Sequence, residues 1–354
     1  MSDAMTSDER EVGDRAPNED RASDELCDRI YGAIFGCALG DALGLPAEGR
    51  DKQILTERYP EGIVFPHRVP CRDFPLNDWT DDTDQTVLIM RSLAGGAEPA
   101  CDFAQRLVSW FNHGFPELGD TQGMGCGNMT WRVLRQKSFL EDPFATAEAA
   151  IGPKAGNGAL MRTAPCAFTA DPAGWARFFC QTTHSDSRCV ASCIVQSVLL
   201  QKLAHSPSTG PLDAEMLREA LSAARPALSP KHWQELTDWV KRSERLDRLE
   251  LDGRDARGYT FKALGCSLWA LRALFRARRK SESVSPTALF QRTLTSLVME
   301  GGDADTNAAI AGALLGAAIG YSQLPGEWLD ALPHHDWLLR EVDAWIRSGA
   351  VDLA

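Results

Sequence analysis

Glycine recurs every fourth residue in two separate stretches of this 354-residue chain, at Gly32, Gly36, Gly40 and Gly44 and again at Gly312, Gly316 and Gly320. Both stretches are otherwise apolar, with apolar residues three and four apart as in a helix. A glycine inside a helix costs about 1 kcal/mol relative to alanine, so a column of them needs an offsetting contact. Residues four apart share one helix face, and a face without side chains lets a neighbouring backbone come unusually near. The two stretches are therefore expected to pack against each other at the centre of the fold. That would carry Asp41, near the end of the first, toward the acidic turn that opens the second. The spacing alone leaves open that each stripe packs against some other element.

Helical periodicity extends over 26–44, 85–93, 103–112, 184–203, 214–224, 232–245, 260–277, 286–300 and 306–321, and nowhere is the period-two alternation of a half-buried strand sustained. The class is all-α, read as a compact orthogonal multi-helix domain over 25–354 behind an acidic polar tail, 1–24, expected to be disordered. The stretch from about 205 to 286 has Pro/Ser loops and a charge-dense segment at 241–257 but none of the glycine and aspartate motifs. It reads as peripheral helices and loops that shape or cover a site.

The formal charge of −12 disfavours nonspecific binding to nucleic acid or an anionic membrane, which takes Lys and Arg on the surface. Ten cysteines include no CxxC pair, which argues against a zinc ribbon or redox pair. Their apolar surroundings suit reduced thiols in a cytoplasmic protein. No apolar secretory core follows the N-terminus, and the most apolar stretch, 308–321, falls short of the roughly 20 residues of a membrane span. The expectation is a monomer without membrane association.

Two segments carry hard-ligand chemistry. Asp78-Trp79-Thr80-Asp81-Asp82-Thr83-Asp84 precedes one expected helix, and Gly301-Gly302-Asp303-Ala304-Asp305-Thr306 heads another. One Asp or Thr suffices to cap a helix N-terminus. Four acids in seven residues repel one another and are best tolerated around a cation. Carboxylate and hydroxyl oxygens without nearby His or Cys suit Mg²⁺, Mn²⁺ or Ca²⁺ rather than zinc or copper. Gly156-Asn157-Gly158-Ala159-Leu160-Met161-Arg162 could offer backbone N–H groups to a phosphate, with Asn157 and Arg162 adding donors, or be only a turn. Gly123-Met124-Gly125-Cys126-Gly127 is equally ambiguous. For Thr183-His184-Ser185-Asp186 the sequence offers no convincing nucleophile partner for a triad, and it leaves the role of His184 open.

In this order the segments resemble the ADP-ribosylglycohydrolase family, through Gly32 to Gly49 (GAIFGCALGDALGLPAEG), Trp79 to Asp84 (WTDDTD), Gly156 to Arg162 (GNGALMR), Thr183 to Ser187 (THSDS) and Gly301 to Ala317 (GGDADTNAAIAGALLGA). The resemblance implies an all-α fold with a binuclear cleft for two Mg²⁺ or Mn²⁺ ions. It also implies hydrolysis at the anomeric carbon of the distal ribose of ADP-ribose, carried on a modified protein or small molecule; nucleic acid would enter only as a modified substrate. The implied metal ligands are Thr80, Asp81, Asp82, Asp303, Asp305 and Thr306. Glu48 matches a mobile acid near the metals and, with Asp81, Asp82 and Asp303, makes the catalytic set, while Asp41 supports from behind. Gly156, Asn157, Gly158 and Met161 match the ADP-ribose loop, and His184 lines the cleft.

This sequence departs from the pattern in two places. Some relatives place a further Asp, proposed as a catalytic base, where this chain has Gly125 or Cys126, leaving Asp120 as a candidate substitute. Asp84 adds a charge that the ligand pattern does not need. Two other readings stand beside the hydrolase, a non-catalytic ADP-ribose-binding or crystallin-like structural protein and a metal phosphohydrolase acting on a nucleotide. Retention of six ligand positions and Glu48 argues against the structural protein.

Overall fold

The computed structural model describes residues 17–95, 99–205, 214–280 and 284–353, which form helices and loops with isolated β-bridges and no strand among them. Fifteen α-helices follow in order: α1 (Pro17–Gly44), α2 (Lys52–Arg58), α3 (Asp81–Gly95), α4 (Pro99–His113), α5 (Asn128–Leu134), α6 (Pro143–Ile151), α7 (Pro172–Gln181), α8 (Ser187–Ala204), α9 (Ala214–Ala224), α10 (Pro230–Arg242), α11 (Thr260–Arg279), α12 (Pro286–Val298), α13 (Ala304–Ile319), α14 (Gly326–Leu329) and α15 (His335–Arg347). Of the expected tail, residues 1–16 lie outside the described residues; from Pro17 the chain is already helical.

Four helices begin in the same way, with Asp142, Asp171, Ser229 and Ser285 each accepting a backbone N–H from the first turn and each followed by proline. The side chain satisfies a donor the helix cannot, and proline at the first position removes another.

The two glycine stripes do face each other. α1 and α13 run antiparallel, with Gly32 against Gly316, Gly36 against Gly312, Gly40 against Ala308 and Gly44 against Asp305. A Cβ built on Gly36 would overlap the Gly312 carbonyl, and one on Gly312 would overlap the carbonyl of Gly36. Ser23–Ala47, most of α1 with the turn after it, is long and apolar enough to cross a membrane by length and composition, yet 94% of its most apolar 18-residue window is buried inside the protein as a core helix. α3, α8, α11 and α12 pack around the pair. A single hydrophobic cluster runs from Leu26 to Val351.

The expectation of a peripheral 205–286 region holds for α9 and α10 but not for α11. That helix is buried along most of its length and packs on α13, because Phe261, Leu264, Leu268, Leu271 and Phe275 recur at helical spacing on its core face. The charge-dense 241–257 stretch and the Pro/Ser loops that made the region look superficial all precede α11, which begins at Thr260.

Candidate active site

Antiparallel packing sets the C-terminal end of α1 beside the N-terminus of α13, and α3 begins at the same place. Asp41 of α1 supplies what α3 lacks. Its carboxylate accepts Thr80 N–H at 3.0 and 3.1 Å, Thr80 Oγ1–H at 2.9 Å, Thr83 N–H at 3.1 Å and Thr83 Oγ1–H at 2.7 Å. A helix N-terminus is thus capped from another element, and the acids of α3 are released from that task. Both helices begin earlier than the periodicity suggests, α3 by four residues and α13 by two: Asp81 and Asp82 occupy the first turn of α3, Asp303 is the N-cap position of α13, and Asp305 and Thr306 lie in its first turn. Asp303 makes no side-chain capping bond; it accepts from Asn157 Nδ2 at 2.7 Å instead.

These residues converge on a cleft of about 270 Å³. Thr80, Asp81, Asp82, Asp303, Asp305 and Thr306 line it with Glu48 on one side; Gly156, Asn157, Gly158, Met161 and His184 line the other. Every expected site residue is present except Asp41, which stands behind Thr80. One carboxylate oxygen each from Glu48, Asp303 and Asp305 falls within a 4.8 Å cluster. Thr80 Oγ1 and Thr306 Oγ1 approach Asp82 Oδ2 at 3.1 and 3.3 Å, whereas Asp82 Oδ1 and Asp305 Oδ1 are buried with no hydrogen-bond partner. Burial, reinforced by neighbouring carboxylates, pushes Asp81, Asp82 and Asp305 well above the usual carboxylate range. Burial likewise raises Asp303 to about 6, and Asp41 to about 6 despite four hydrogen-bond donors.

The turn before α13 is held by glycine geometry. Gly301 and Gly302 have φ of 72° and 76°, conformations open to glycine, and side chains there would strike the Arg50 and Leu251 carbonyls. Gly49 N–H donates to Gly302 O at 2.7 Å and Gly302 N–H to Arg50 O at 2.9 Å, so the loop carrying Glu48 is tied to the turn carrying Asp303 and Asp305.

Some predictions are redrawn. Arg162 is fully buried and points away from the cleft, so it is no phosphate donor. Asp120 stays outside, accepting Phe115 N–H at 2.9 Å and lining a neighbouring cleft with Asp78 and His334. Asp84 is accounted for by tryptophans: its two oxygens accept Trp79 Nε1–H at 2.9 Å and Trp110 Nε1–H at 2.8 Å, bracing the start of α3 against α4. Gly125 and Gly127 of the ambiguous second glycine segment line the cleft, while nothing in the sequence signalled Arg72, which pairs with Glu48 at the rim, or Phe74, Asn128, Met129, Thr130 and Gly258 of the cleft wall. Nor did sequence reading find Gln85, whose Nε2–H donates to Asp81 Oδ2 at 2.8 Å; the i, i+4 spacing was the available signal.

An all-helical fold around an acidic, glycine-walled cleft is what this chain shares with a family of enzymes that hydrolyse ADP-ribose glycosidic linkages. The chain belongs to the ADP-ribosylglycohydrolase family, whose profile matches residues 22–352. It is 27% identical to the ADP-ribosyl-[dinitrogen reductase] glycohydrolase of Rhodospirillum rubrum over 337 residues, covering 92% of this chain and 98% of that one. It is also 27% identical to the ADP-ribosylarginine hydrolase Tri1 of Serratia proteamaculans, covering 87% and 76%, and 27% identical to bovine ADP-ribosylhydrolase ARH3, covering 85% and 87%. A solved structure, an ADP-ribosylglycohydrolase-related protein complex, superposes with a TM-score of 0.61 at 29% identity, covering 92% of this chain and 99% of that chain.

Proposed function

We propose that this chain removes ADP-ribose from a modified protein side chain or small-molecule acceptor, in the cytoplasm, by hydrolysis at the anomeric carbon of the distal ribose. Two Mg²⁺ or Mn²⁺ ions would be held by Thr80, Asp81, Asp82, Asp303, Asp305 and Thr306. The observation that carries this reading is the pair of buried, unpartnered oxygens, Asp82 Oδ1 and Asp305 Oδ1. Buried carboxylate oxygens rarely go unpaired, and an all-oxygen donor set fits hard divalent cations.

Bound there, such ions would supply positive charge to orient ribose hydroxyls and make a water more acidic. Glu48, with its side chain 31% exposed at the rim, reaches the Asp303 and Asp305 carboxylates and can move when Arg72 releases it. It is the group we assign to taking up or returning the proton. The anionic lining favours the oxocarbenium character of glycoside cleavage. Backbone at Gly156 and Gly158 allows close approach of the nucleotide, because nothing projects from the chain there. Relatives named for arginine linkages make ADP-ribosylated arginine the first acceptor to try.

The deciding experiment offers ADP-ribosylated arginine, serine and DNA with Mg²⁺, with Mn²⁺ or with EDTA. ADP-ribose release that requires the cation is expected. Release at full rate in EDTA would defeat the mechanism, and tight ADP-ribose binding without turnover of any substrate would favour the non-catalytic reading.

Asp41→Asn tests the supporting role separately. Its amide would present N–H groups to donors on Thr80 and Thr83. Mn²⁺ affinity, measured by calorimetry, is expected to fall by about 10- to 100-fold, the usual cost of losing a partner behind a metal ligand. Unchanged affinity would reduce Asp41 to a helix cap.

A further inference from the structure

A buried hydrogen-bond chain joins the acidic turn of α3 to His184 on the opposite cleft wall. Gln85 Nε2–H donates to Asp81 Oδ2 at 2.8 Å, Arg162 Nη1–H to Gln85 Oε1 at 2.5 Å and Arg162 Nη2–H to Thr183 Oγ1 at 2.6 Å; Thr183 Oγ1 lies 2.8 Å from His184 Nδ1. Gln85, Arg162 and Thr183 are wholly buried and His184 is 1% exposed. The Arg162 guanidinium also sits over the Phe103 ring.

A guanidinium only donates, so Thr183 Oγ1 accepts from Arg162. The hydroxyl keeps one proton to give, and of its two side-chain partners only His184 Nδ1 can accept it. The arrangement that leaves this buried proton paired keeps Nδ1 unprotonated. Burial, with the charge of Arg162 added, lowers the His184 pKa to about 3, so the ring is neutral and carries its hydrogen on Nε2. This edge faces the glycine loop: a Cβ added to Gly158 would lie 3.2 Å from Nε2, and one on Gly156 would lie 3.7 Å away. At the other end, Arg162 requires Gln85 to present its oxygen inward, which turns its amide N–H toward Asp81.

We propose that Arg162 is a positioning residue that fixes two donors of the cleft at once. One is His184 Nε2–H, set to meet an oxygen acceptor of the nucleotide sugar. The other is the Gln85 amide that holds Asp81. The proposal rests on the reading of the cleft as an ADP-ribose site, and it gives the last residue of Gly156–Arg162 a task on the side away from substrate.

Thr183→Val keeps the shape and the Arg162 charge but removes the hydroxyl that sets the tautomer. In ¹⁵N spectra, the wild-type His184 ring is expected to hold its hydrogen on Nε2, and the variant ring to populate both tautomers. By calorimetry ADP-ribose affinity should fall about tenfold, the scale of one buried hydrogen bond, with Mn²⁺ affinity unchanged. Arg162→Lys keeps a cation but cannot span Gln85 and Thr183 as a planar fork, and should weaken both ADP-ribose and Mn²⁺. A wild-type ring protonated on Nδ1, or a Thr183→Val protein that binds ADP-ribose like wild type, overturns the proposal. Wild-type protein that fails to bind ADP-ribose would overturn the site reading instead, while the tautomer spectrum still judges the role of Arg162 and Thr183.

Discussion

Asp305→Ala will lower kcat/KM for ADP-ribose release by about 10³-fold, since a bound ion contributes several kcal/mol to catalysis and each 1.4 kcal/mol is a factor of ten. The same substitution should leave the metal-free protein as stable as wild type or more so. Asp305 packs a buried oxygen without a partner beside Glu48, Asp303 and Asp82, so the metal-free fold bears its desolvation and repulsion. Because burial raises these carboxyls in the folded state, their cost is absent below the ordinary carboxylate pKa of about 4 and grows as pH rises through the folded values; for Asp303 that value is about 6. In EDTA the melting temperature of wild type should therefore drop between pH 5 and pH 8, and Asp305→Ala should flatten that slope. Added Mn²⁺ should raise the wild-type melting temperature by mass action and move the variant far less. A variant that keeps wild-type turnover, or melts lower than wild type in EDTA at pH 8, would mean that Asp305 serves the fold and not a cation.

The acids of this site were legible in the sequence because repulsion makes such runs conspicuous, and their composition pointed to a cation. What composition could not settle was whether each acid caps a helix or faces a cleft. The answer depends on Asp41, about forty residues upstream, whose carboxylate takes the α3 donors. Arg162 shows the converse failure. A basic residue in a glycine loop suggests phosphate contact, but its partners Gln85 and Thr183 are distant in sequence, and only packing reveals which way it points. Among the helices, periodicity located α11, yet the loops and charge-dense stretch before it obscured its burial, since the character of a whole region says little about one helix within it. The loop from residue 59 to 80, which brings Arg72 and Phe74 to the rim, has no periodic signal to read.

The glycine seam yields a reversal of sign. In an isolated helix Gly→Ala is stabilising by about 1 kcal/mol. At Gly316 the added Cβ would meet the Gly32 carbonyl, and neither backbone can turn aside as a side chain could. α1 and α13 must then separate around that contact, backbone against backbone, so the cost should reach or exceed the upper end of the roughly 1–3 kcal/mol of ordinary overpacking. Gly316→Ala is expected to melt at least about 5 °C below wild type, taking the lower end of the roughly 2–4 °C per kcal/mol of somewhat smaller domains. Gly326→Ala, which meets nothing within 4 Å, should melt as wild type does. Position along the seam then separates stability from chemistry. Gly40 opposes Ala308, next to the turn that carries Asp305 and Thr306, whereas Gly32 lies at the far end against Gly316. Gly40→Ala should weaken Mn²⁺ binding in calorimetry at a temperature where the protein is folded, and Gly32→Ala should destabilise while sparing it. Unchanged Mn²⁺ affinity in both variants would mean that the seam sets only the stability of the helix pair; loss confined to Gly40→Ala would show that backbone contact between α1 and α13 near the cleft sets the spacing of the acidic turns.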